Sequence, residues 1–383
     1  MNEAVNPPTI QVAEKEPSKM NPVTKRLLLL LNCILFTVGS CGGPLVLRVY
    51  YLHGGASVWL NSLLQSVGWP LNLIPLAISY LHRRSKNPNT PIFYIDRPLF
   101  LAAFLAGLIN GSSNYLYSYG LRRLPVSTAS LILSSQLAFV ALFAFILVRQ
   151  KFTPYSINAI FLLTVGAGVL AMHSSNDKPK GETGKQYALG FVMAVLAALL
   201  FGLLMPLLEL IFKKSKQHVT YTLVIEIQMA FLFVATIFSA IGMIASKDYK
   251  DIVEEARKFR LGKAKYCHVL VWGSVLFQLL TLGMAGVIFC GSSMLGGVMN
   301  SCFLPIVEVL AVVFFHEKFQ AEKAVSLGLS LWGFLSYFYG EARANREMVK
   351  NEEPTALPPE TQMTETTVPT TTTTSSPNPI ANV

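Results

Sequence analysis

Apolar residues run along the chain in long blocks that are separated by short polar or charged segments. Each block is close to the roughly 17–25 residues that an α-helix needs to cross a bilayer. The pattern predicts an all-α polytopic membrane protein with ten transmembrane helices, at about 26–49, 57–81, 98–120, 126–148, 155–173, 188–212, 221–245, 267–289, 292–315 and 323–340.

The helical domain is expected to span residues 26–342, with polar tails on both sides. Residues 1–25 hold several prolines and charges of both signs, and residues 343–383 are rich in Thr, Pro and Glu. Both compositions are typical of disordered segments. Once residues 247–266 are set aside, Lys and Arg are more abundant in the segments that would lie inside, which predicts that both tails are cytosolic.

The segment 247–266 has a pattern of its own. Ile252, Ala256 and Phe259 recur at helical spacing among charged residues. Such a pattern predicts an amphipathic helix that lies on the membrane surface.

Composition agrees with a membrane protein. Hydrophobic residues make up 52% of the chain, charged residues only 14%, and the mean hydropathy is +0.48. The net charge of +10 is spread over the loops between apolar blocks, so lipid headgroups rather than nucleic acid are its expected partners. The five cysteines form no metal-binding or disulfide pattern, and the sequence indicates no cofactor.

One helical hairpin occurs twice. Residues 120–172 and 287–339 each hold two apolar blocks around a charged turn, and their Lys-Phe pairs, at Lys151 and Lys318, are 167 residues apart. This spacing contains five predicted helices, an odd number, so the second copy must enter the membrane inverted. The halves, at about 26–173 and 188–340, are therefore predicted to be inverted five-helix repeats, an arrangement typical of secondary transporters.

Four stretches resemble the plant purine permeases of the drug/metabolite transporter superfamily. They are GGPLVLRVYYLHGGASVWLNSLLQSVGWPLNLIPL (42–76), the residues from NYLYSYGLRRLPVSTASLIL to LLTVGAGVL (114–170), YTLVIEIQMAF (221–231) and FLPIVEVLAVVFFHEKF (303–319). The resemblance implies a ten-helix, proton-coupled plasma-membrane importer of adenine-like bases, cytokinins or nitrogen-heterocyclic alkaloids. Where the family has an acid before NYLYxYG, this chain has Ser112-Ser113, which favours an unusual substrate.

Charged residues within the predicted spans are candidates for function, because burying a charge in the membrane is costly. Glu226 and Glu308 are predicted to bind substrate and to couple protons, and Glu308 ranks first because Pro305 interrupts the helix just before it. For Glu226, a structural role as one member of a buried pair is an equal alternative to a functional role. Glu209 is expected to pair with Lys213, one helical turn away. Acids without bases in the spans favour neutral or cationic solutes.

Amide and aromatic side chains form stripes at helical spacing. Such groups supply the paired donors and acceptors and the flat surface that a heterocyclic base needs, or else they tie helices together by hydrogen bonds. Asn110 belongs to one stripe and Asn72 to another. The residues predicted to bind substrate are Asn61, Gln65, Trp69, Asn114, Tyr117, Gln136, Glu226 and Glu308.

Three classes of function compete for this sequence. A transporter of small nitrogen heterocycles is favoured, with an exchanger of nucleotide-sugars or organophosphates as the alternative transporter. A membrane enzyme is disfavoured because no cluster has metal-binding or acid–base spacing, and a non-transporting receptor would have no use for an inverted repeat with embedded acids. The sequence leaves the preferred heterocycle and the oligomeric state open.

Overall fold

A computed structural model describes residues 21–88, 90–123, 136–172, 184–215, 217–315 and 321–352. The side chains of a few residues within these ranges, that of Glu308 among them, lie outside the description. The predicted turn at 316–318 and most of both predicted tails also lie outside it. The described residues form helices and loops without any strand, which confirms an all-α chain over that part.

Twelve α-helices occur in the described ranges, and a short 3-10 helix, Trp69–Asn72, stands between the second and the third. Their bounds are α1 Pro22–Leu52, α2 Val58–Leu64, α3 Leu73–Lys86, α4 Arg97–Arg123, α5 Gln136–Val148 with a π-helical last turn, α6 Pro154–Met172, α7 Gly184–Lys214, α8 Tyr221–Ser246, α9 Tyr249–Lys258, α10 Lys263–Cys290, α11 Ser293–Phe315 and α12 Ala321–Glu352.

Six of the described helices are long and apolar enough to cross a membrane. They lie in α1, α4, α7, α8, α10 and α11, and α5 and α6 contribute shorter apolar helices. Large apolar side chains also point away from the protein, with Phe161, Trp272 and Trp332 between 58% and 67% exposed. Surfaces of this kind are stable against lipid rather than water. The chain is therefore an integral, multi-pass membrane protein.

The helix predicted at 57–81 is divided. After α2 the chain turns through Gln65–Gly68 and a 3-10 helix before α3 begins. Gly68 explains part of the break, because a Cβ there would lie 2.7 Å from the backbone oxygen of Ser274 in α10. Pro70 supplies the rest, since proline has no N–H for a preceding helical turn.

Several other helices are longer than predicted, among them α1, α4 and α12. α1 continues to Leu52 and α4 to Arg123, so each gains nearly a turn at its C-terminal end. α12 reaches Glu352, where a disordered tail was expected, because residues 341–352 are mostly good helix formers such as Ala, Glu, Arg and Lys. The compact unit of the chain itself ends at Glu341.

α1 and α10 pack closely through small residues. A Cβ on Gly39 would lie 2.2 Å from the backbone nitrogen of Leu280, and one on Gly283 would lie 2.3 Å from that of Phe36. Only glycine allows two backbones to approach this closely. The contact fixes α1 against α10 and thereby one wall of the interior.

α6 and α12 contact each other through equivalent positions of the two predicted repeats. A Cβ on Gly166 would meet three residues of α12 at 3.1–3.4 Å, and one on Gly333 would meet three residues of α6 at 3.1–3.3 Å. Each residue in this contact has its counterpart 167 positions away on the other helix. The pairs are Gly166 with Gly333, Ala159 with Ser326, Leu162 with Leu329 and Leu163 with Ser330.

α9 forms as predicted, but its apolar face is covered by protein. Phe259, which directly follows the helix, is 3% exposed and packs with its ring centre 5.2 Å from that of Tyr266 at the start of α10. Glu255 of α9 accepts hydrogen bonds from the hydroxyl of Tyr266 and from the backbone nitrogen of Ala56. The apolar stripe therefore joins α9 to the ends of α1 and α10.

Candidate functional site

A cavity of about 640 Å³ lies between helices from both predicted repeats. α1, α4 and α5 line it from the first half of the chain, and α7, α10 and α11 line it from the second. This volume is within the range of roughly 300–1,000 Å³ that small-molecule sites occupy. At one end of the helical domain, where α1 and α4 both finish, the cavity is lined by Leu52, Ala56 and Arg122. We call this end of the domain the cavity end.

The walls of the cavity combine aromatic rings with amide groups. Tyr117 and Phe201 contact edge to face with ring centres 6.4 Å apart, and Phe36 and Phe303 do so at 5.5 Å. The amide side chains in the lining are those of Gln65, Asn110, Asn114, Gln136 and Asn300. A flat, uncharged molecule with polar edges fits such walls, because rings cover its faces and amides pair with its edges.

Four of the predicted site residues come together here, namely Gln65, Asn114, Tyr117 and Gln136. Gln65 is held in position through its amide nitrogen, which donates to the backbone oxygen of Asn61 and to the hydroxyl of Ser118, at 3.3 and 3.4 Å. These two hydrogen bonds fix the position of Gln65 in the cavity wall.

Two other predicted residues lie outside the lining. Asn61 is fully buried, and its amide nitrogen donates to the hydroxyl of Ser118 at 2.8 Å, so it supports Gln65 from behind. Trp69 packs edge to face against Phe233, with ring centres 5.2 Å apart. The break after α2 accounts for this position, because Trp69 no longer continues the helical face on which Asn61 lies.

Glu226 is buried outside the cavity lining and binds backbone. Its carboxylate accepts hydrogen bonds from the backbone nitrogens of Tyr94 and Ile95, at 2.7 and 3.0 Å. Arg83 interacts electrostatically with this carboxylate, and its guanidinium lies 4.3 Å from the ring centre of Tyr94. The carboxylate therefore fixes the segment before α4 to the start of α8.

Glu209 pairs with Lys213 as the sequence predicted, with 2.7 Å between its carboxylate oxygen and the lysine Nζ. Its other oxygen accepts a hydrogen bond from the backbone nitrogen of Ser293, at 2.6 Å. That nitrogen is at the beginning of α11, where helix N–H groups have no partner within the helix. A single buried carboxylate thus caps one helix from another.

Glu308 is placed only by its backbone. It lies in α11, three residues after Pro305 and one residue after Val307, which lines the cavity. Its side chain is among those outside the description.

Two arginines in the lining were missed from the sequence. Arg48 lies at the end of the predicted span 26–49, and Arg122 lies two residues beyond the predicted span 98–120. α1 and α4 extend past both residues, and both side chains line the cavity end. No Asp or Glu occurs among the described lining residues. The predicted cavity with acids and without bases is therefore wrong for the described lining, because the cavity extends to the helix ends at which the two arginines lie.

Potential metal ligands do not cluster. Among the described residues no group of three or more His, Cys, Asp or Glu side chains could hold a metal ion. The five cysteines are all free, and three of them are buried. The described lining of the cavity offers amide groups, aromatic rings and the two arginines for binding.

Comparison with known proteins finds one family model and several relatives that match most of the chain. A family model described as purine nucleobase transmembrane transport matches residues 27–347. Purine permease 3 of Arabidopsis thaliana is 48% identical over 333 residues, which cover 86% of this chain and 95% of the relative. Purine permease 2 of the same plant is 49% identical over 337 residues, covering 84% and 94%.

A solved structure, titled only as a crystal structure of a protein, shares the fold. It superposes with a TM-score of 0.54, covering 84% of this chain and 99% of that one. The two sequences are 14% identical, so the likeness concerns the fold alone.

Proposed function

Because this chain belongs to the purine permease family, we propose that it imports purine nucleobases, cytokinins or related nitrogen-heterocyclic alkaloids as a proton-coupled secondary transporter. Members of the family are transporters and not enzymes, and so is this chain. The cavity carries the proposal, because its amide and aromatic walls and its volume suit one heterocycle with a substituent.

We further propose ten membrane helices in two inverted five-helix repeats, with both termini in the cytosol and the plasma membrane as the site of action. The reciprocal contacts of Gly166 with α12 and of Gly333 with α6 support a two-fold axis between these helices. Helix contacts recur in related pairs: α1 with α10 and α4 with α7, then α2 with α4 and α8 with α10. When the halves are exchanged, α1 replaces α7, α2 replaces α8 and α4 replaces α10. The contact of α1 with α10 then becomes that of α7 with α4, and the contact of α2 with α4 becomes that of α8 with α10, as an inverted repeat requires.

Proton coupling is assigned to Glu308 or Glu226. A carboxylate can take up a proton on the acidic side of the membrane and release it on the other. For Glu226 the structural effect of protonation follows from its contacts, since a charged carboxylate accepts two backbone hydrogen bonds more strongly than a neutral acid does. For Glu308 the support is its position beside the cavity-lining Val307 and after Pro305.

Uptake of labelled adenine tests the function. The chain is expressed in yeast that lacks its own adenine uptake, and unlabelled adenine, a cytokinin, an alkaloid and a sugar nucleotide are added as competitors. We expect saturable uptake that adenine and the cytokinin inhibit. Absence of uptake in cells that carry the protein at their surface would refute the proposal.

The same assay tests the alternative, an exchanger of nucleotide-sugars or organophosphates. One observation favours it, namely that Arg48 and Arg122 line the cavity, because such ligands need basic partners. Stronger competition by the sugar nucleotide than by adenine would support this alternative.

Coupling is tested by mimicking the protonated carboxyl. Glu308→Gln is expected to abolish accumulation driven by a pH gradient while exchange of substrate for substrate persists, and Glu308→Ala is expected to impair both. Uptake is measured at about pH 5 and about pH 8 outside, with and without a protonophore, beside counterflow in preloaded cells. If pH dependence survives in Glu308→Gln but not in Glu226→Gln, the coupling role moves to Glu226. Survival in both variants would remove both residues from it.

A further inference from the structure

Two asparagines on α4 lie in the cavity wall and carry unpaired donors. Asn110 and Asn114 are one helical turn apart and only 3% and 2% exposed, yet both side chains line the cavity. The amide nitrogen of each has no hydrogen-bond acceptor among the described residues. A buried donor without a partner costs about 1–3 kcal/mol. A ligand that brings acceptors would remove that cost.

Other asparagines of the same interior are paired through the same atom. The amide nitrogen of Asn61 donates to Ser118 at 2.8 Å, and that of Asn72 donates to Gln228 at 3.1 Å. Asn72 belongs to a buried network in which Gln278 donates to it at 2.7 Å. Pairing is thus the rule for amides that tie helices together here, and Asn110 and Asn114 depart from it in the wall of the cavity.

The hydroxyl groups nearest in sequence are already engaged. Ser113 donates to the backbone oxygen of Ala197 at 3.1 Å, and Ser118 donates to the backbone oxygen of Asn114 at 2.7 Å. The first bond ties α4 to α7 and the second lies within α4, and neither uses the two asparagine amides. The pair therefore remains available on a rigid element, which is the arrangement that precise recognition needs.

We propose that Asn110 and Asn114 form the subsite that recognises the ring nitrogens of a purine. This inference rests on the proposed function and deepens it. An asparagine amide can pair with adenine through two hydrogen bonds, because its nitrogen donates to a ring nitrogen and its oxygen accepts from the exocyclic amine. Tyr117, less than one turn from Asn114 on α4, contributes an aromatic surface to the same cavity.

The proposal predicts which atoms of the substrate are recognised. Replacing one ring nitrogen of adenine by C–H removes an acceptor and leaves the base almost unchanged in shape. At least one of 1-deazaadenine, 3-deazaadenine and 7-deazaadenine should therefore bind roughly tenfold more weakly than adenine, since an asparagine amide would be left unpaired.

The test compares these analogues as competitors of labelled adenine uptake. In Asn110→Leu and Asn114→Leu, adenine should bind roughly tenfold more weakly, and the difference from the weakest analogue should disappear. Asn110→Asp and Asn114→Asp keep the size of the side chain and remove the donor, so they serve where a leucine variant fails to reach the membrane. Asn158→Leu is the matched control, because Asn158 donates to Ser336 on an exposed surface away from the cavity.

The inference is overturned if all three analogues compete as well as adenine, or if the difference persists in all four cavity variants. Binding to the purified protein, measured as thermal stabilisation by adenine and by each analogue, separates the subsite from transport. A chain that binds adenine with the predicted selectivity but does not move it would refute the proposed function and leave the subsite in place.

Discussion

The two ends of the helical domain use their buried polar groups differently. In the cavity, Asn110 and Asn114 lie midway along α4 and the two arginines lie at the cavity end, and all four line an open space. At the opposite end, called the closed end here, Glu209 and Glu226 bind backbone nitrogens of neighbouring segments. Buried polar side chains thus join neighbouring segments at the closed end, whereas around the cavity they line an open space.

The difference shows how buried polar residues in a membrane protein can be sorted. A carboxylate that accepts backbone hydrogen bonds holds two segments together, and its loss exposes unpaired N–H groups in a medium that offers no water. A cavity-lining amide without a partner has no such role in the folded chain. Paired and unpaired groups should therefore respond to substitution in different assays, stability for the first and selectivity for the second.

The largest effect is expected at the closed end, from Glu209→Ala. This change leaves the buried N–H of Ser293 without its acceptor and Lys213 without its partner. We expect a loss of about 1–3 kcal/mol in the free energy of unfolding, because the buried N–H loses its acceptor. This loss should appear as a melting temperature roughly 5 °C lower for purified protein. Glu209→Gln keeps an acceptor and should lose less. Equal melting temperatures for wild type and Glu209→Ala would contradict the capping role.

An intermediate effect is expected at the cavity end, from Arg122→Gln. The positive charge should disfavour cationic ligands, so its removal should strengthen competition by a fixed cation such as 7,9-dimethyladeninium by roughly tenfold. The neutral 9-methyladenine and 7-methyladenine should change by less than about threefold. These competitors are compared in the adenine uptake assay.

Arg123→Gln is the matched control for this charge. Arg123 carries the same charge one residue further on, but its guanidinium lies over the ring of Tyr119, at 4.5 Å, and it does not line the cavity. If selectivity changes equally in Arg122→Gln and Arg123→Gln, then surface charge near the cavity end, and not charge in the cavity wall, sets the selectivity.

The smallest effect is expected from aromatic residues on the two sides of the cavity wall. Tyr117→Leu should raise the KM for adenine about fivefold, because a base loses part of an aromatic contact worth roughly 1–3 kcal/mol. Trp69→Leu should leave KM nearly unchanged, because Trp69 packs on Phe233 outside the lining. A larger KM change in the Trp69 variant than in the Tyr117 variant would reverse the assignment.

Most of the helices could be predicted from the sequence, because apolar blocks of bilayer length have few alternatives. The break after α2 could not, since it depends on Gly68 meeting the backbone of α10, a contact between residues about 200 positions apart. For the site, polarity and spacing selected Gln65, Asn114, Tyr117 and Gln136, which line the cavity, but also Asn61 and Trp69, which do not.

The charge of the cavity and the role of Glu226 needed three dimensions. Arg48 and Arg122 lie about one turn or less from a helix end, and a sequence pattern does not show that the cavity extends to those ends. Glu226 binds backbone groups more than 130 positions away, at Tyr94 and Ile95, and backbone leaves no signature in a sequence pattern.

The reciprocal contacts of Gly166 with α12 and of Gly333 with α6 bear on how the two proposed halves would move during transport. A transporter built from two inverted halves changes its open side when the halves exchange conformations. A contact on the proposed two-fold axis is mapped onto itself when the two halves exchange conformations. Its geometry is therefore the same before and after the exchange. The crossing of α6 and α12 would then act as the fulcrum of the molecule, a point about which both halves tilt while Gly166 stays against α12 and Gly333 against α6.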